Sequence, residues 1–143
     1  HAVNALPQRA TANVNCRVFP GHTRAQIIAE LQKAAGVPEV KFTDVTGDTA
    51  TESDASPMRG DYVAAVEKAM AASWPKVPVI PAQSSGATDS MWYRAKGVPS
   101  YGISPVFIKD SDDFSHGLNE RVELRNIRPG LIYYFSLLPA LSK

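Results

Sequence analysis

The sequence predicts an α/β or α+β fold, because patterns typical of strands and helices alternate along it. Residues 12–18 (ANVNCRV) place small or apolar residues at every second position, which is the period of a strand with one polar face. Residues 24–36 and 61–74 instead repeat apolar residues at helical spacing. Residues 77–81 (VPVIP) form a short apolar run with prolines at its ends, as expected for strand termini or an edge strand.

The first predicted helix has recognisable start and stop signals. Thr23 and Gln26 fit a capping box, in which two side chains accept hydrogen bonds from free backbone N–H groups. Gly36 is a typical C-terminal stop. The apolar stripe between them consists of Ile27, Ile28, Leu31 and Ala35. A second strand is expected at 40–45, so the first part of the chain is predicted to run strand, helix, strand.

The remaining elements follow a polar connector at 46–56. The second helix is predicted to end before Pro75, and its apolar face comprises Tyr62, Val63, Val66, Ala69, Met70 and Trp74. Thr88 or Asp89 could cap a third helix that continues to Lys96 and stops at Gly97.

The last part of the chain is predicted to contain one strand and one helix. A buried strand is expected at 101–104. The helix should begin at Arg128 or Pro129 and run to Leu141, with proline in its first turn. The face expected to pack on a sheet comprises Leu131, Ile132, Phe135 and Leu138.

Composition excludes several classes of function. The chain has 143 residues, and 15 basic and 14 acidic residues give a net charge of +1, which offers no attraction to nucleic acid or an anionic membrane. A single cysteine, Cys16, precludes an intrachain disulfide and is expected to be a small core residue. No apolar run reaches the roughly 20 residues of a membrane span. The protein is expected to be soluble, and its compartment stays open.

His116 is the first candidate for chemistry, because it lies in a polar loop (FSHGLNERV, 114–122) that follows several aspartates. A neutral imidazole is a common metal ligand, yet a single histidine in a surface loop is more often only polar. A zinc site needs three or four protein ligands, and the sequence contains neither HExxH nor a cysteine cluster. If His116 binds a metal, most of its partner ligands must lie elsewhere.

Two further candidates contain groups that recognise anions. The segment 84–89 (SSGATD) precedes a predicted helix, where backbone N–H groups can bind a carboxylate, although Thr88 and Asp89 could equally be simple caps. Arg17 projects from the polar face of a predicted strand and could bind a carboxylate with two hydrogen bonds, or could be a solvated charge. Ser84 and Ser85 lack the G-x-S-x-G turn of serine hydrolases.

Five ordered motifs together resemble one family. They are N-A-L-P (4–7), N-V-N-C-R-x-x-P-G (13–21), S-G-A-T-D-S-x-x-x-R (85–94), G-V-P-S-Y-G-I-S-P (97–105) and H-G-x-N-E-R-V (116–122). In this order they resemble the C-terminal part of the M20 family of zinc metallopeptidases and amidohydrolases, which includes aminoacylases, acetylornithine deacetylase and Gly-X carboxypeptidases. The chain, which begins without methionine, is therefore expected to be a segment of a longer enzyme.

The resemblance implies a division into two units. Residues 1–54 would be the second half of a ferredoxin-like lid or dimerisation domain. Residues 55–143 would be the closing part of a zinc-peptidase-like α/β catalytic domain. The parent is expected to act as a homodimer through the lid, in a bacterial cytoplasm or periplasm, without nucleic acid or membrane partners.

The resemblance also implies roles for individual residues. His116 would be a metal ligand, for one or two zinc ions or another divalent metal. The substrate, a small peptide or N-acyl amino acid, would be bound by Asn4, Arg17, Gly86, Ala87 and Thr88. The supporting residues would be Asp89, Arg94, Asn119, Glu120 and Arg121. No catalytic residue is expected in this chain, because the general-base glutamate and the other ligands belong to the N-terminal part of the catalytic domain.

By this resemblance, the intact enzyme would cleave an amide or peptide bond with metal-activated water, and this chain alone would be inactive. The alternative is a non-catalytic dimerisation or binding module derived from the same family.

Overall fold

Four α-helices separated by long irregular segments make up the computed structural model, which describes residue 4 and residues 6–142. The helices are α1 (Arg24–Ala35), α2 (Gly60–Ser73), α3 (Ser90–Ala95) and α4 (Ile127–Leu141). Single 3-10 turns lie at Gly47–Thr49, Asp110–Asp112 and Leu124–Asn126. Part of the 4–7 motif and the two ends of the chain, namely residues 1–3, 5 and 143, lie outside the described residues.

The predicted α/β fold is wrong, because residue 4 and residues 6–142 contain no strand. The ferredoxin-like lid and the α/β catalytic layer are therefore not formed. The four segments predicted as strands, 12–18, 40–45, 77–81 and 101–104, are irregular. A strand is stable only when its N–H and C=O groups pair with a neighbour, and an alternating sequence does not supply that neighbour.

Helix α1 forms as predicted, and its start is a complete capping box. The Thr23 hydroxyl accepts a hydrogen bond from the Gln26 backbone N–H at 3.2 Å, and the Gln26 side chain accepts one from the Thr23 N–H at 2.8 Å. Gly36 ends the helix in the left-handed conformation, with φ of 64°. None of its residues is fully buried, so α1 depends mainly on these local signals.

Arg24 ties the start of α1 to the polar connector. Its guanidinium donates to the Asp44 carboxylate at 3.2 Å and to the Gly47 carbonyl at 3.4 Å, and it also contacts the Ala50 carbonyl. The Arg24 backbone N–H donates to Glu52 at 2.7 Å. The pKa of Asp44 is lowered, first by hydrogen bonds from Thr46 and then by Arg24. The connector is thus folded back on the helix start.

The core lies between α2 and α4. Val66, Ala69 and Met70 of α2 pack with Tyr133 and Leu137 of α4, and all five are buried. The helical prediction for α2 is confirmed, and the buried residues belong to the predicted face.

Residues 105–107 are attached to this core by two side chains. The Trp74 indole N–H donates to the Pro105 carbonyl at 3.0 Å. The buried Asn126 side chain accepts from the Phe107 N–H and donates to the Phe107 carbonyl, both at 3.1 Å. Because both polar groups of the Asn126 side chain are hydrogen-bonded, its burial leaves neither group without a partner.

Helix α4 forms, but the prediction of its packing face is wrong. Gly130, Tyr133 and Leu137 are buried, whereas Leu131, Ile132, Phe135 and Leu138 are exposed. The helix is apolar on several faces, so its sequence does not single out one of them. The face of α4 that contacts α2 is buried. Residues 6–142 contain no sheet that could cover the face predicted to be buried.

Tyr133 makes the stability of the α2–α4 core depend on pH. Burial raises the pKa of Tyr133 to about 12, with a smaller effect from Tyr62 and Tyr134. The unfolded phenol ionises near pH 10, so stability is fully present below that pH and is lost as the pH rises towards 12. The buried hydroxyl also makes no hydrogen bond within the described chain.

We therefore predict that Tyr133→Phe weakens the alkaline loss of stability and leaves the protein equally or more stable at neutral pH. The phenylalanine ring keeps the packing and removes an unsatisfied hydroxyl, whose burial costs about 1–3 kcal/mol. Urea unfolding followed by circular dichroism at pH 8 and pH 11 measures both effects. Tyr93→Phe, at an exposed ring on α3 that is not part of this core, is the matched control and should change neither. An identical alkaline loss in wild type and Tyr133→Phe would contradict the assignment.

Candidate functional site

Arg17 and the SSGATD loop are adjacent, although they lie 68 positions apart in sequence. The Arg17 guanidinium donates a hydrogen bond to the Ser85 carbonyl at 3.3 Å, and both groups are exposed. Within the loop, the Ser84 hydroxyl accepts from the Gly86 N–H at 3.1 Å. A Cβ at Gly86 would lie 3.4 Å from that hydroxyl oxygen, at the lower limit of ordinary van der Waals contact. The loop and the arginine therefore form one polar surface.

Thr88 and Asp89 precede α3, but neither side chain caps it. Helix α3 begins at Ser90, and the Asp89 side chain makes no capping hydrogen bond. Their backbone carbonyls instead accept from Met91 at 3.2 Å and Trp92 at 3.1 Å. The predicted helix is therefore present without the predicted side-chain cap, and both side chains are exposed.

Arg94 attaches α3 to the segment that joins the two predicted units. Its guanidinium N–H donates to the Ser53 hydroxyl at 3.2 Å. Nearby, the Ser56 hydroxyl donates to the Ser100 carbonyl and accepts from its N–H, both at 2.8 Å. Tyr101 adds a hydrogen bond from its hydroxyl to the Pro57 carbonyl at 2.6 Å. Arg94 thus braces the structure behind the loop. Ser56 carried no recognisable sequence signal, and Ser100 belonged to the 97–105 motif without an assigned role.

His116 is exposed at the tip of a tight turn and has a positive φ of 62°. Asp113 shapes this turn, because its carboxylate accepts from the Ser115 N–H at 3.0 Å and from the Ser115 hydroxyl. These hydrogen bonds lower the pKa of Asp113, with a smaller effect from His116. The Gly117 N–H closes the turn on the Phe114 carbonyl at 2.7 Å. The aspartates before His116 therefore have a structural role that the sequence did not indicate.

Arg121 holds the other side of the same turn. Its guanidinium pairs with Asp112 and lies 4.6 Å from the centre of the Phe114 ring, as in a cation–π contact. Asn119 and Glu120 are exposed, and their side chains form no hydrogen bond with residue 4 or residues 6–142. Of the three consecutive polar residues, Arg121 alone has a visible bracing contact in this part of the chain.

A complete metal site does not fit the residues present. Within residue 4 and residues 6–142, no three His, Cys, Asp or Glu side chains are grouped closely enough to hold an ion. His116 could supply one imidazole nitrogen. The prediction that Cys16 is a small core residue is wrong, because Cys16 is exposed.

Two concavities in the described part of the chain lie away from the predicted site residues. A concavity of about 450 Å³ lies beside Gln32, Gly36 and Lys41, and one of about 200 Å³ lies beside His22, Thr23 and Glu52. Neither is lined by a predicted site residue. Asn4 is exposed, and the hydrogen bond of Arg17 goes to Ser85 and not to Asn4.

Sequence comparison assigns the chain to a class of hydrolases. The profile of the peptidase family M20/M25/M40 matches residues 3–140, so the chain belongs to this family. No solved structure matches it.

Three curated relatives match over nearly the whole chain. The N-fatty-acyl-amino acid synthase/hydrolase of Danio rerio is 26% identical over an aligned stretch that covers 95% of this chain and 27% of the relative. A probable carboxypeptidase S-like protein of Dictyostelium discoideum is 23% identical over 141 residues, covering 98% and 27%. The N-fatty-acyl-amino acid synthase/hydrolase of Xenopus tropicalis is 28% identical over 137 residues, covering 94% and 26%. The chain therefore spans about a quarter of the length of these relatives.

We predict that Gly117→Ala disrupts the turn that presents His116. A Cβ at Gly117 would lie 3.0 Å from the Phe114 carbonyl oxygen, so the hydrogen bond closing the turn must lengthen. Gly102→Ala is the matched control, because a Cβ there has no atom within 4 Å. Backbone amide chemical shifts and hydrogen exchange should change across residues 114–121 in the first variant and only locally in the second. Unchanged exchange at Gly117 would contradict this reading.

Proposed function

We propose that this chain contributes one metal ligand and part of the substrate-binding surface to an M20-type metallohydrolase that cleaves an amide or peptide bond. The observation that carries the proposal is the hydrogen bond from Arg17 to the Ser85 carbonyl. It supports a shared substrate surface, because it joins two sequence-distant segments that the family resemblance assigns to substrate binding. The family membership supports the class of reaction.

The proposed substrate carries a free carboxylate. The relatives are named as enzymes of N-fatty-acyl amino acids and as a carboxypeptidase, and both kinds of substrate have a carboxylate next to the bond that is cut. Arg17 uses one guanidinium N–H for the Ser85 carbonyl, so its other guanidinium N–H groups can donate hydrogen bonds to a carboxylate. An N-acyl amino acid or a small peptide would satisfy this chemistry.

The SSGATD loop would hold the other polar groups of the substrate. The Gly86 N–H is occupied by the Ser84 hydroxyl. The N–H groups of Ala87 and Thr88 donate no hydrogen bond within the described part of the chain, and the Thr88 hydroxyl is exposed. These groups could contact a substrate carbonyl, while Asp89 and Arg94 would hold the loop in position. Asn4 would add a contact, across a dimer of the parent enzyme.

His116 would be the only metal ligand from this chain. The metal, proposed to be zinc, would supply a positive charge that polarises the scissile carbonyl and activates water. Its remaining ligands and the general-base glutamate are proposed to come from polypeptide other than this chain. The turn held by Asp113, Phe114 and Arg121 supports a role for His116, because it fixes an exposed imidazole at a defined place.

The two-unit organisation is also a proposal. Residues 1–54 would carry Asn4, Arg17 and the dimer contact, and residues 55–143 would carry the loop and His116. The hydrogen bonds of Ser53 with Arg94 and of Ser56 with Ser100 lie at the proposed boundary and would set how the units meet.

We predict that this chain alone binds zinc only weakly, because a single imidazole cannot hold the ion. Isothermal titration calorimetry with zinc chloride should show no stoichiometric binding. In the metal-loaded enzyme, His116→Ala should weaken zinc affinity by more than the roughly 10- to 100-fold seen for residues that merely orient a ligand, so the zinc content should fall. His22→Ala, at another exposed histidine, should leave the zinc content unchanged. Tight one-to-one zinc binding by the isolated chain, or full zinc occupancy in His116→Ala, would overturn the assignment.

We predict that Arg17→Ala in the active enzyme raises KM roughly 10- to 100-fold for substrates with a free carboxylate, as expected when a charge-assisted hydrogen bond is lost. Methyl ester analogues of the same substrates should be affected little. Arg17→Lys keeps the positive charge but lacks the planar guanidinium group, so its KM should lie between those of the wild type and Arg17→Ala. An equal rise in KM for the acid and its ester would show that Arg17 does not bind the carboxylate.

A further inference from the structure

Leu118 lies beside the turn of His116, and its side chain is uncovered within residues 6–142. Its exposed fraction of 105% is larger than that of any other large apolar side chain in the part of the chain that the structure describes. Isolated apolar residues on a surface are ordinary. Leu118 differs from the others because it is two residues away from the proposed metal ligand.

Two consecutive β-turns present His116 and Leu118 as a pair. The first turn closes with the Gly117 N–H on the Phe114 carbonyl at 2.7 Å, and the second closes with the Glu120 N–H on the Gly117 carbonyl at 3.3 Å. His116 and Leu118 are therefore central residues of adjacent turns, and central residues lie at the outer end of a turn. Their Cα atoms are at most about 7 Å apart. The two residues thus border the same small region of surface.

The backbone that carries this pair has an uncommon conformation. His116 has a φ of 62°, in the left-handed region that residues other than glycine adopt rarely. The Asp113 carboxylate and the Arg121 guanidinium hold the turn from its two sides. Unfavourable backbone conformations that are maintained by surrounding contacts are found mainly at binding and catalytic sites. The position of Leu118 is therefore as well defined as that of His116.

The proposed function assigns the two ends of the substrate to different parts of the site. The free carboxylate would bind Arg17, and the scissile carbonyl would lie at the metal held by His116. The acyl group continues from that carbonyl in the direction away from the carboxylate. The part of the substrate nearest to His116 and farthest from Arg17 is therefore the acyl group, and Leu118 is the apolar side chain next to it.

The chemistry of Leu118 favours one kind of acyl group. Contact between a leucine and an alkyl chain removes apolar surface of both from water, and the gain increases with each carbon that is covered. An ammonium group, as at the start of a peptide substrate, would lose hydration against a leucine. It would pair instead with Glu120, whose exposed carboxylate is two residues further along. Leu118 is central in its turn whereas Glu120 closes it, which favours the alkyl chain.

We infer that Leu118 is a specificity-determining residue that contacts the alkyl chain of the acyl group. The substrates are then N-acyl amino acids with an uncharged chain of several carbons, and peptides with a free amino group are poor substrates. This inference rests on the proposed function, because it requires the metal at His116 and the carboxylate at Arg17. It adds a contact for the side of the substrate that neither of those residues binds.

A series of acyl groups on one amino acid tests this inference in the metal-loaded enzyme. N-acetyl-, N-butanoyl- and N-octanoyl-phenylalanine share the carboxylate and the scissile bond, and alanyl-phenylalanine carries an ammonium group in place of the longer chain. We expect the wild-type kcat/KM to rise along the series and to be lowest for the dipeptide. Leu118→Ala should lower kcat/KM about 10- to 100-fold for the N-octanoyl substrate and less than about threefold for the N-acetyl substrate.

Two further variants serve as controls. Leu118→Met keeps the volume and the apolar character of the side chain, so it should retain the wild-type preference. Leu124→Ala removes the same atoms from another exposed leucine, outside the two turns, and should leave kcat/KM unchanged for every substrate. Amide hydrogen exchange across residues 114–121 and the zinc content should be the same in Leu118→Ala and the wild type, because an uncovered side chain does not support the turn.

Several outcomes would overturn the inference. One is an unchanged ratio of N-octanoyl to N-acetyl kcat/KM in Leu118→Ala, and another is a wild-type enzyme that prefers the dipeptide. A fall in the zinc content of Leu118→Ala would also overturn it, because Leu118 would then support the turn. Failure of the proposed function would be seen in other variants: zinc occupancy would remain full in His116→Ala, or Arg17→Ala would raise KM equally for the acid and its ester.

Discussion

The packing of α2 against α4 is the interaction on which the rest of the described structure depends. Tyr133 and Leu137 meet Val66, Ala69 and Met70, and this contact forms the buried core. Trp74 and Asn126, at the edges of the same helix pair, hold residues 105–107 by hydrogen bonds. Helix α1 adds no fully buried residue and is held by its caps and by Arg24. If the helix pair separated, the segments attached to it would lose their anchor.

The candidate site is built from loops, and each loop has its own brace. Arg17 contacts the loop at 84–88, Arg94 fixes α3 behind it, and Asp113 with Arg121 shapes the turn around His116. Loops braced in this way can present exposed polar groups in defined positions without being buried. The chain belongs to the peptidase family M20/M25/M40 and spans about a quarter of the length of its curated relatives. The braced groups are therefore proposed as one part of a larger active site.

Local signals in the sequence were sufficient for the helices but not for the strands. The capping box at Thr23, the stop at Gly36 and the periodicity of α2 depend on neighbours within one or two turns, so they can be recognised directly. The segments 12–18 and 77–81 have strand-like patterns, but strands require distant partners, and within residue 4 and residues 6–142 none pairs with them. The buried face of α4 was predicted wrongly for a related reason. Several faces of this helix are apolar, and only the position of α2 selects the one that is buried.

The sequence by itself determined the family, the order of the helices and the identity of the candidate residues, because motifs and helical periods are carried by neighbouring residues. Tertiary structure alone decided that Arg17 lies beside Ser85, that Asp113 and Arg121 support the turn of His116, and that Tyr133 rather than Phe135 enters the core. The Arg17 contact joins residues that are distant in sequence, the contacts around His116 depend on one particular conformation of a short loop, and the burial of Tyr133 selects among equally apolar faces. Which of them form depends on how the whole chain buries its surface.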